Sequence, residues 1–485
     1  MRIMSRLSGA LGVLCVLTAT KLGHAEAQSL QPDRQPVGAY DAEAAAPFEH
    51  SDSRRESVFA GAAGAEAWRG RALDVVEADV RLPGAYTLVV DAQGDVYVLE
   101  GVAPADGIAG AGVTKLDGRT LEVIWRAAIE PERRAWTYPG ALALHGNGDL
   151  YVVTGLTAAR IDRMSGEVLA RRRLPDGGHP EDAAYNGLLL MDDGRILAKS
   201  FYRVPGCESD GFHAFLDCGS ATELGSELAL LEPVDLERVW SGAAPERIGG
   251  RITGVMRGGH ERVYMPGAEG LHRWIYADDQ LRPDPDWAVQ DYTSGGERPG
   301  AAAAVFGDWV VIQTNARYTR APYRIVALHQ DDPSRRFDSQ PFIDISPRES
   351  FIPSKPTADW ANRRVYVVDA FGGTAALDFD PQSGFSTAWR APSRSFNFTT
   401  LLGPAADRLL AQSRLEPGGA DIARMRYAGD RIVLRDARTG EEIARSTRFP
   451  PGPGLTQLPG PGAVLYYVSI SGELHRLSPG ARLRD

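Results

Sequence analysis

The chain has 485 residues, of which 43% are hydrophobic and 24% are charged. This composition is typical of a globular protein and excludes a disordered, collagen-like or disulfide-dense chain. The formal net charge is −10 at pH 7 and there is no basic cluster, so nucleic acid is not an expected partner. The 53 glycines and 32 prolines predict many turns, and therefore short strands in place of long helices.

Residues 1–27 have the pattern of a secretory signal peptide. Its parts are a positive end, a short apolar run and a small-x-small cleavage site, at Arg2 and Arg6, residues 7–20 and residues 25–27. The run is too short to cross a bilayer, and no later stretch approaches the roughly 20 apolar residues that a span needs. We therefore expect a periplasmic or secreted protein without a membrane span.

Two cysteines, Cys207 and Cys218, remain once the signal peptide is removed. A lone pair in an exported protein most simply forms one disulfide, with two free thiols as the alternative. Closing such a short loop contributes about 3 kcal/mol in the chain-entropy model. No CxxC or HxxxH spacing accompanies the cysteines, so we expect no metal site.

Residues 28–72 are rich in Ala, Glu, Asp, Ser and Arg and show no alternation of polar and apolar residues. We interpret them as a leader that is poorly ordered or clings to the surface. On this interpretation the chain before about Leu73 is dispensable for folding.

From about residue 83 a two-part unit recurs. The first part is a strand with the pattern Gly-Asp-x-Tyr-Val, as at residues 94–98 and 148–152. The second part is a turn and a strand with the pattern Leu-Asp-x-x-Ser/Thr-Gly-Glu-x-x-Trp, of which residues 116–125 are one copy. Eight copies recur about every 53 residues from Tyr97 to Tyr466, and a period of this length without helical patterning is typical of a propeller.

The Leu-Asp-x-x-Thr-Gly-x-x-x-Trp segments resemble the repeat of quinoprotein-type (PQQ-like) β-propellers over roughly residues 83–480. The resemblance implies an all-β fold, an eight-bladed β-propeller of four-stranded antiparallel blades around a central channel, with seven blades as the alternative. The eighth copy has few residues left for a last strand. Residues 73–81 alternate suitably, and we expect this N-terminal strand to close the ring. Residues 73–485 would then form a single, monomeric propeller domain.

The ends of the second strands and the starts of the innermost strands should converge on one mouth of the channel. Polar residues occupy most of these positions, and basic and amide groups collected there suit an anion such as a carboxylate. The expected ligand-binding residues are His179, Asp182, Asn186, Arg251, Arg298, Lys355, Asp369 and Asn397.

Only four lysines occur in the chain, and two of them, Lys199 and Lys355, fall near this mouth. Lysine is a compact point charge whose pKa falls readily on burial, which suits proton transfer. We therefore expect Lys199 and Tyr185 to be the catalytic residues, if there is catalysis. An insertion at about 201–226 carries both cysteines and is predicted to form a lid or recognition loop. Ordinary structural roles remain open for each of these residues.

Three functions remain open at this point. The first is an exported propeller that binds an anionic small molecule at the mouth, with or without converting it. The second is a non-enzymatic scaffold for protein–protein interaction in the periplasm. The third, a PQQ-dependent dehydrogenase, is what the resemblance implies. The enzymes resembled often place an adjacent Cys-Cys pair over the cofactor, whereas Cys207 and Cys218 are eleven positions apart. We therefore predict no cofactor, PQQ and calcium being disfavoured.

Overall fold

Eight antiparallel sheets, each with four strands of the repeat, form the body of the protein. The computed structural model describes residues 38–482 except 102–109, 131–137, 204–223, 288–289, 295–296, 316–322, 345–353, 417–427, 451–456 and 470. In seven sheets the four strands follow one another in sequence from the axis of the ring outward.

The innermost strands are short and mostly buried: β3 (Thr87–Val90), β7 (Ala141–Leu144), β11 (Ala183–Leu190), β15 (Thr253–Arg257), β19 (Ala303–Phe306), β23 (Thr357–Asp359), β27 (Thr400–Leu402) and β31 (Gln457–Gly460). The second strands are β4 (Val96–Glu100), β8 (Asp149–Thr154), β12 (Ile196–Tyr202), β16 (His260–Pro266), β20 (Trp309–Gln313), β24 (Arg364–Asp369), β28 (Leu409–Glu416) and β32 (Val464–Val468).

The third strands are β5 (Ala111–Leu116), β9 (Thr157–Asp162), β13 (Glu227–Leu231), β17 (Leu271–Ala277), β21 (Ile325–His329), β25 (Gly373–Asp380), β29 (Gly429–Asp436) and β33 (Leu474–Arg482). The outermost strands are largely solvent-facing: β6 (Val123–Glu130), β10 (Val168–Arg173), β14 (Arg238–Ala243), β18 (Gln280–Pro283), β22 (Arg336–Ser339), β26 (Gly384–Ala391), β30 (Glu442–Arg445) and β2 (Arg71–Glu77).

The N-terminal strand closes the ring. β2 pairs with β33 in antiparallel register, with Val75 opposite Leu477, and so supplies the outermost strand of the eighth blade. The innermost strands of the eighth and first blades, β31 and β3, contact each other, so the last blade packs against the first and the ring is closed. The predicted eight blades and their closure are confirmed.

The repeat motif is a turn built on an aspartate. Asp117 Oδ1 accepts the backbone N–H groups of Arg119 and Thr120 at 2.8 and 2.7 Å. These hydrogen bonds hold the pKa of the Asp117 carboxyl below its usual value, the Thr120 N–H being the largest cause. The same pair of contacts recurs in three other blades, at Asp162, Asp380 and Asp436.

The glycine and tryptophan of the motif connect neighbouring blades. Gly166 has a φ of +80°, and a Cβ placed there would lie 2.7 Å from the ring of Trp125 in the preceding blade. Trp125 Nε1 also donates to the Arg163 carbonyl at 3.3 Å. The glycine thus allows a left-handed turn and leaves room for the indole of the neighbouring blade. This explains why the motif contains both a glycine and a tryptophan.

The leader provides the largest departure from expectation. Residues 39–59, which we call the axial segment, form backbone hydrogen bonds with the innermost strands of seven blades or the residue directly after one. In order along the axial segment, the partners are Met191 beside β11, Leu144 of β7, Val90 of β3, Gly254 of β15, Val305 of β19, Ala358 of β23 and Leu401 of β27. The free edges of innermost strands face the axis, so the axial segment lies in the central channel.

Large side chains hold the leader in place. Phe48 is fully buried, and β1 (Val58–Phe59) pairs in parallel with β27. Residues 60–70 then continue past the seventh blade, where Trp68 is fully buried, to the start of β2. The leader expected to be poorly ordered or superficial is therefore, over residues 38–72, largely packed inside or against the ring. The sequence did not reveal this packing, because the apolar residues of the leader do not recur at a regular spacing.

The first half of the axial segment bonds to residues at the ends of innermost strands, Val90 and Leu144, whereas its second half bonds to the second residues of theirs, Gly254, Ala358 and Leu401. The axial segment therefore runs from the end of the channel where these strands finish toward the mouth where they begin. We call the latter the strand-start mouth. The two helices of the described chain, Ala65–Ala67 and Ala405–Asp407, are single 3₁₀ turns, and neither is long or apolar enough to cross a membrane.

Candidate functional site

Buried ionisable side chains from the axial segment and from the blades meet in the channel. We call Glu49, His50, Arg55, Ser57, Arg251 and Lys355 the axial cluster. Each of these residues is at most 6% exposed, although five of the six carry an ionisable group. Burying so many ionisable groups costs free energy unless each is paired with an opposite charge or a hydrogen-bond partner.

A single carboxylate bridges two arginines. Arg55 Nη1 donates to Glu49 Oε1 at 2.7 Å, and Arg251 Nε lies 3.2 Å from the same oxygen. Arg55 Nε also donates to the Ile252 carbonyl at 2.6 Å. Burial lowers the pKa of the Arg55 guanidinium, and the nearby positive charge of Arg251 lowers it further against the opposing effect of Glu49.

Arg251 joins three blades at the axis. Its Nη2 donates to the Gly140 carbonyl at 3.0 Å, and its Nη1 donates to the carbonyls of Pro139, at 3.1 Å, and of Asn186. The arginine lies just before β15, so it connects the fourth blade to the starts of the innermost strands of the second and third. These contacts explain why a cation is retained at this buried position.

Lys355 forms the other half of the cluster. Its Nζ donates to Ser57 Oγ at 2.9 Å and to the Pro356 carbonyl at 3.0 Å. Burial lowers the pKa of Lys355 well below its usual value, and the Arg55 charge lowers it further. His50 Nδ1 lies 3.2 Å from the same Ser57 hydroxyl. The pKa of His50 is also well below its usual value, through burial first and then through the charge of Lys355.

Lys199 lies beside the cluster and is anchored to backbone. Its Nζ donates to the carbonyls of Ile248 and Gly250, both at 2.7 Å. Burial lowers the pKa of Lys199 well below its usual value, followed by the charges of Arg251 and Arg55. These hydrogen bonds fix the backbone just before β15. Lys199, which was predicted to be catalytic, therefore has a structural role here.

Several buried polar atoms near the strand-start mouth have no hydrogen-bond partner within the described ranges. They belong to the cluster and to amides on or beside the first and second strands: His50 Nε2, Arg55 Nη2, Asn186 Oδ1, Gln313 Oε1, Asn397 Nδ2 and Gln412 Oε1. Buried polar groups are nearly always hydrogen-bonded to protein, water or ligand. We call the part of the channel around the axial cluster and these six atoms the axial chamber.

The structure brings together part of the predicted site. Asn186, Arg251 and Lys355 line the axial chamber with Lys199 beside them, and Asn397 is buried next to Phe398, whose ring contacts that of His50 at 4.4 Å. These residues come from four blades.

Other predicted residues lie elsewhere. Tyr185 OH donates to the Pro175 carbonyl at 2.9 Å, and the ring packs between the second and third blades. Asp182 pairs with Arg203 at 2.9 Å. His179 and Arg298 are exposed. Asp369 is buried, and its Oδ1 accepts the N–H groups of Phe371 and Gly372 in a tight turn.

A β-bulge explains why Tyr185 and Asn186 separate. The pairing of β11 with β12 shifts between Tyr185 and Gly187, so that Asn186 is the extra residue. Asn186 Nδ2 therefore reaches the Gly249 carbonyl at 3.0 Å while Tyr185 points between blades. The predicted proton-transfer role of Tyr185 has no support in these contacts.

The insertion and its disulfide are not placed. Cys207, Cys218 and most of the predicted lid at 201–226 fall in the range 204–223, outside the described residues. Both remain predictions.

The residues that sequence reasoning missed are Glu49, His50, Arg55 and Ser57, all in the axial segment. The available signal was the presence of Phe48, Phe59 and Trp68 in a stretch interpreted as a polar leader. Three large aromatic residues are more than a solvated segment needs, because each gains free energy only when buried.

Eight four-stranded blades with aspartate turns and interblade tryptophans define an eight-bladed β-propeller. No family model matches the sequence, and no curated protein matches it. Among solved structures, the chain is similar to the quinohemoprotein alcohol dehydrogenase of Comamonas testosteroni, with a TM-score of 0.61 and 12% identity over 92% of this chain and 82% of that one. It is also similar to BamB of Moraxella catarrhalis, with a TM-score of 0.52 and 13% identity over 84% of this chain and all of that one. At such identity the likeness shows the fold alone.

The residues present do not fit a PQQ–calcium centre. The described residues contain no group of three or more His, Cys, Asp or Glu side chains placed to hold a metal ion. The axial segment also fills part of the channel, and the carboxylate that it contributes to the axial cluster, Glu49, is paired with Arg55 and Arg251. Calcium prefers six to eight oxygen ligands, which these side chains do not supply.

Proposed function

We propose that this protein is an exported propeller that binds an anionic, carboxylate-bearing small molecule in the axial chamber. The supporting observation is the balance of buried basic and acidic groups. Four basic side chains, Arg55, Lys199, Arg251 and Lys355, act on one another or on His50, while Glu49 and Glu56 are the carboxylates that act on them. The two arginines and the two lysines, whose pKa burial lowers, are all N–H donors, and buried donors in excess of carboxylates favour a bound anion.

Hydrogen-bond donors support the same proposal. Arg55 Nη2 and Asn397 Nδ2 are buried donors without partners in the described chain. A carboxylate accepts hydrogen bonds on two oxygens, and it could use such donors together with the arginine charges. Each charge-assisted hydrogen bond contributes about 1.5–3 kcal/mol, so three or four would contribute about 4.5–12 kcal/mol against the cost of association.

Calorimetric titration of the full mature protein with citrate, succinate and pyruvate tests the proposal. We expect at least one of the three to bind, and Lys355→Met to weaken that binding about 10- to 100-fold. Lys115→Met is the matched control, because Lys115 is a buried lysine that pairs with Asp95 at 2.9 Å away from the axis. It should leave the affinity unchanged. Absence of binding at millimolar concentration, or equal loss in both variants, would contradict the proposal.

A scaffold function is the second candidate, on one surface observation. Met164 and Val234 lie in corresponding turns of neighbouring blades and are 74% and 68% exposed. Two exposed side chains form a much smaller apolar surface than the patches that usually mark a protein–protein interface. A protein that bound none of the three carboxylates would favour this second candidate.

A further inference from the structure

We infer that Ser57 is a nucleophile, with Lys355 as its base, for acyl transfer from a carboxylate-bearing ester bound in the axial chamber. The inference goes beyond binding, and it rests on the proposed function in that a small anionic substrate must reach the axial chamber.

The Ser57 hydroxyl has two basic groups within hydrogen-bond distance. Lys355 Nζ is 2.9 Å from Ser57 Oγ, and His50 Nδ1 is 3.2 Å from it. A serine becomes nucleophilic when an adjacent base accepts its proton, and distances of 2.6–3.2 Å are those of working nucleophile–base pairs. All three residues are at most 2% exposed, so water screens these contacts little.

The neutral form of Lys355 fits these contacts. A neutral amine has two N–H donors and one lone pair. Its two N–H groups account for the contacts to Ser57 Oγ and to the Pro356 carbonyl at 3.0 Å, and rotation of the amine about the Cε–Nζ bond would turn the lone pair toward the Ser57 O–H. Burial and the positive charge of Arg55 favour this form by lowering the pKa of Lys355.

The backbone at Ser57 is strained. Its φ is +58°, in the left-handed region that non-glycine residues rarely adopt. The residue is held there on both sides: its N–H donates to the His50 carbonyl at 3.2 Å, and its carbonyl accepts the Leu401 N–H at 2.9 Å. Strained residues fixed by their surroundings cluster at active sites, where the strain orients a reacting group.

The reaction balances with the groups present. Ser57 Oγ attacks the ester carbonyl carbon while its proton passes to Lys355 Nζ, giving a tetrahedral oxyanion and an ammonium group. Arg55 Nη2, a buried donor without a partner in the described chain, would donate to the oxyanion, and Asn397 Nδ2 is then the unpartnered donor left for the carboxylate of the ester. Collapse breaks the bond to the alcohol, which leaves with the proton from Lys355. Water then hydrolyses the Ser57 ester, giving the acid and restoring the hydroxyl.

Labelling with a fluorophosphonate tests the inference on the full mature protein. An activated serine displaces fluoride from this probe and gains a stable phosphonyl group that intact-mass measurement and peptide mapping locate. We expect one adduct, on Ser57. Lys355→Met should slow its formation at least about 100-fold, the usual contribution of a positioned base.

Serine variants provide the controls. Ser57→Ala and Ser57→Gly should both lose the adduct, and the glycine variant suits the positive φ and so guards against misfolding. Ser53→Ala should keep it, because Ser53 is a buried serine of the same segment whose hydroxyl contacts Tyr40 at 3.1 Å. If Ser57→Ala still binds citrate, the loss of labelling results from the missing hydroxyl and not from a disrupted axial chamber.

The pH dependence gives an independent readout. Arg55, Glu49, Glu56 and His50 are the charged or titratable groups that act on or contact Lys355. Only the neutral amine accepts a proton, so the labelling rate should rise with pH and level off below the usual lysine pKa. No adduct on folded protein, or an adduct on another serine, would overturn the inference. Failure to label with carboxylate binding intact would overturn it and leave the proposed function standing.

Discussion

Glu49→Gln should destabilise the protein while strengthening its binding of a carboxylate. Glu49 Oε1 lies 2.7 Å from Arg55 Nη1 and 3.2 Å from Arg251 Nε, and Oε2 accepts a hydrogen bond from Arg251 Nη2 at 3.3 Å. Glutamine keeps the shape but removes the negative charge between two buried arginines. Breaking a buried ion pair from one side typically costs about 3–5 kcal/mol, because the partner charge is left uncompensated.

The gain in binding follows from the same charge balance. An anion in the axial chamber would replace the missing carboxylate, so its affinity should rise about tenfold or more, or about 1.4 kcal/mol. Urea unfolding followed by tryptophan fluorescence, with and without citrate, measures both effects. At a fixed citrate concentration, the ligand should raise the unfolding free energy of Glu49→Gln by more than that of the unmodified protein.

Asp52→Asn is the matched control for this experiment. Asp52 forms a buried ion pair with Arg54 in the same axial segment, outside the axial cluster. This variant should also lose stability, but citrate should stabilise it no more than it stabilises the unmodified protein. An unfolding free energy of Glu49→Gln within about 1 kcal/mol of normal, or an equal citrate effect in both variants, would refute the charge-balance reasoning.

Three further predictions follow from the fold. A chain beginning at Arg71 should fail to give soluble, cooperatively melting protein, because it lacks the axial segment that seven innermost strands bind; a normal melt would contradict the packing role. Gly166→Ala should lower stability by about 1–3 kcal/mol in urea, since the new Cβ would lie 2.7 Å from Trp125. Gly178→Ala has a similar φ of +84° with open space around it, so it isolates the clash. Burial lowers the pKa of His475 to about 4, so its contribution to stability is complete above the unfolded pKa of about 6.5 and is lost as pH falls toward 4. His475→Gln should flatten this acid limb in a pH series of unfolding midpoints.

The ring was predictable because its signals are local. The aspartate turn at Asp117, the glycine that follows it in other copies and the tryptophan at the end of the motif lie within about ten residues of sequence. They repeat because each blade meets its neighbour in the same way, as Trp125 meets Gly166. A contact made once per blade leaves a period in the sequence, and the period gave the number of blades.

The axial segment shows no period in its sequence, because it contacts a different blade every few residues. Its partners change from Val90 to Gly254 to Leu401 along some dozen residues, so neighbouring positions face unlike surroundings. The candidate site was therefore half predictable. Asn186, Arg251 and Lys355 occupy repeat positions that point to the axis, whereas Glu49 and Ser57 were hidden in a stretch without a period.

The order of assembly follows from where these partners lie in the sequence. The axial segment bonds to residues from Val90 to Leu401, so its docking site is complete only when seven blades are in place. Contacts this distant in sequence form late, because their loop-closure entropy must be offset by structure formed before them. Ser57 and Lys355 are separated by almost 300 residues and meet only through that docking. The chemistry proposed for the axial chamber therefore requires a chain in which the axial segment has docked against the blades.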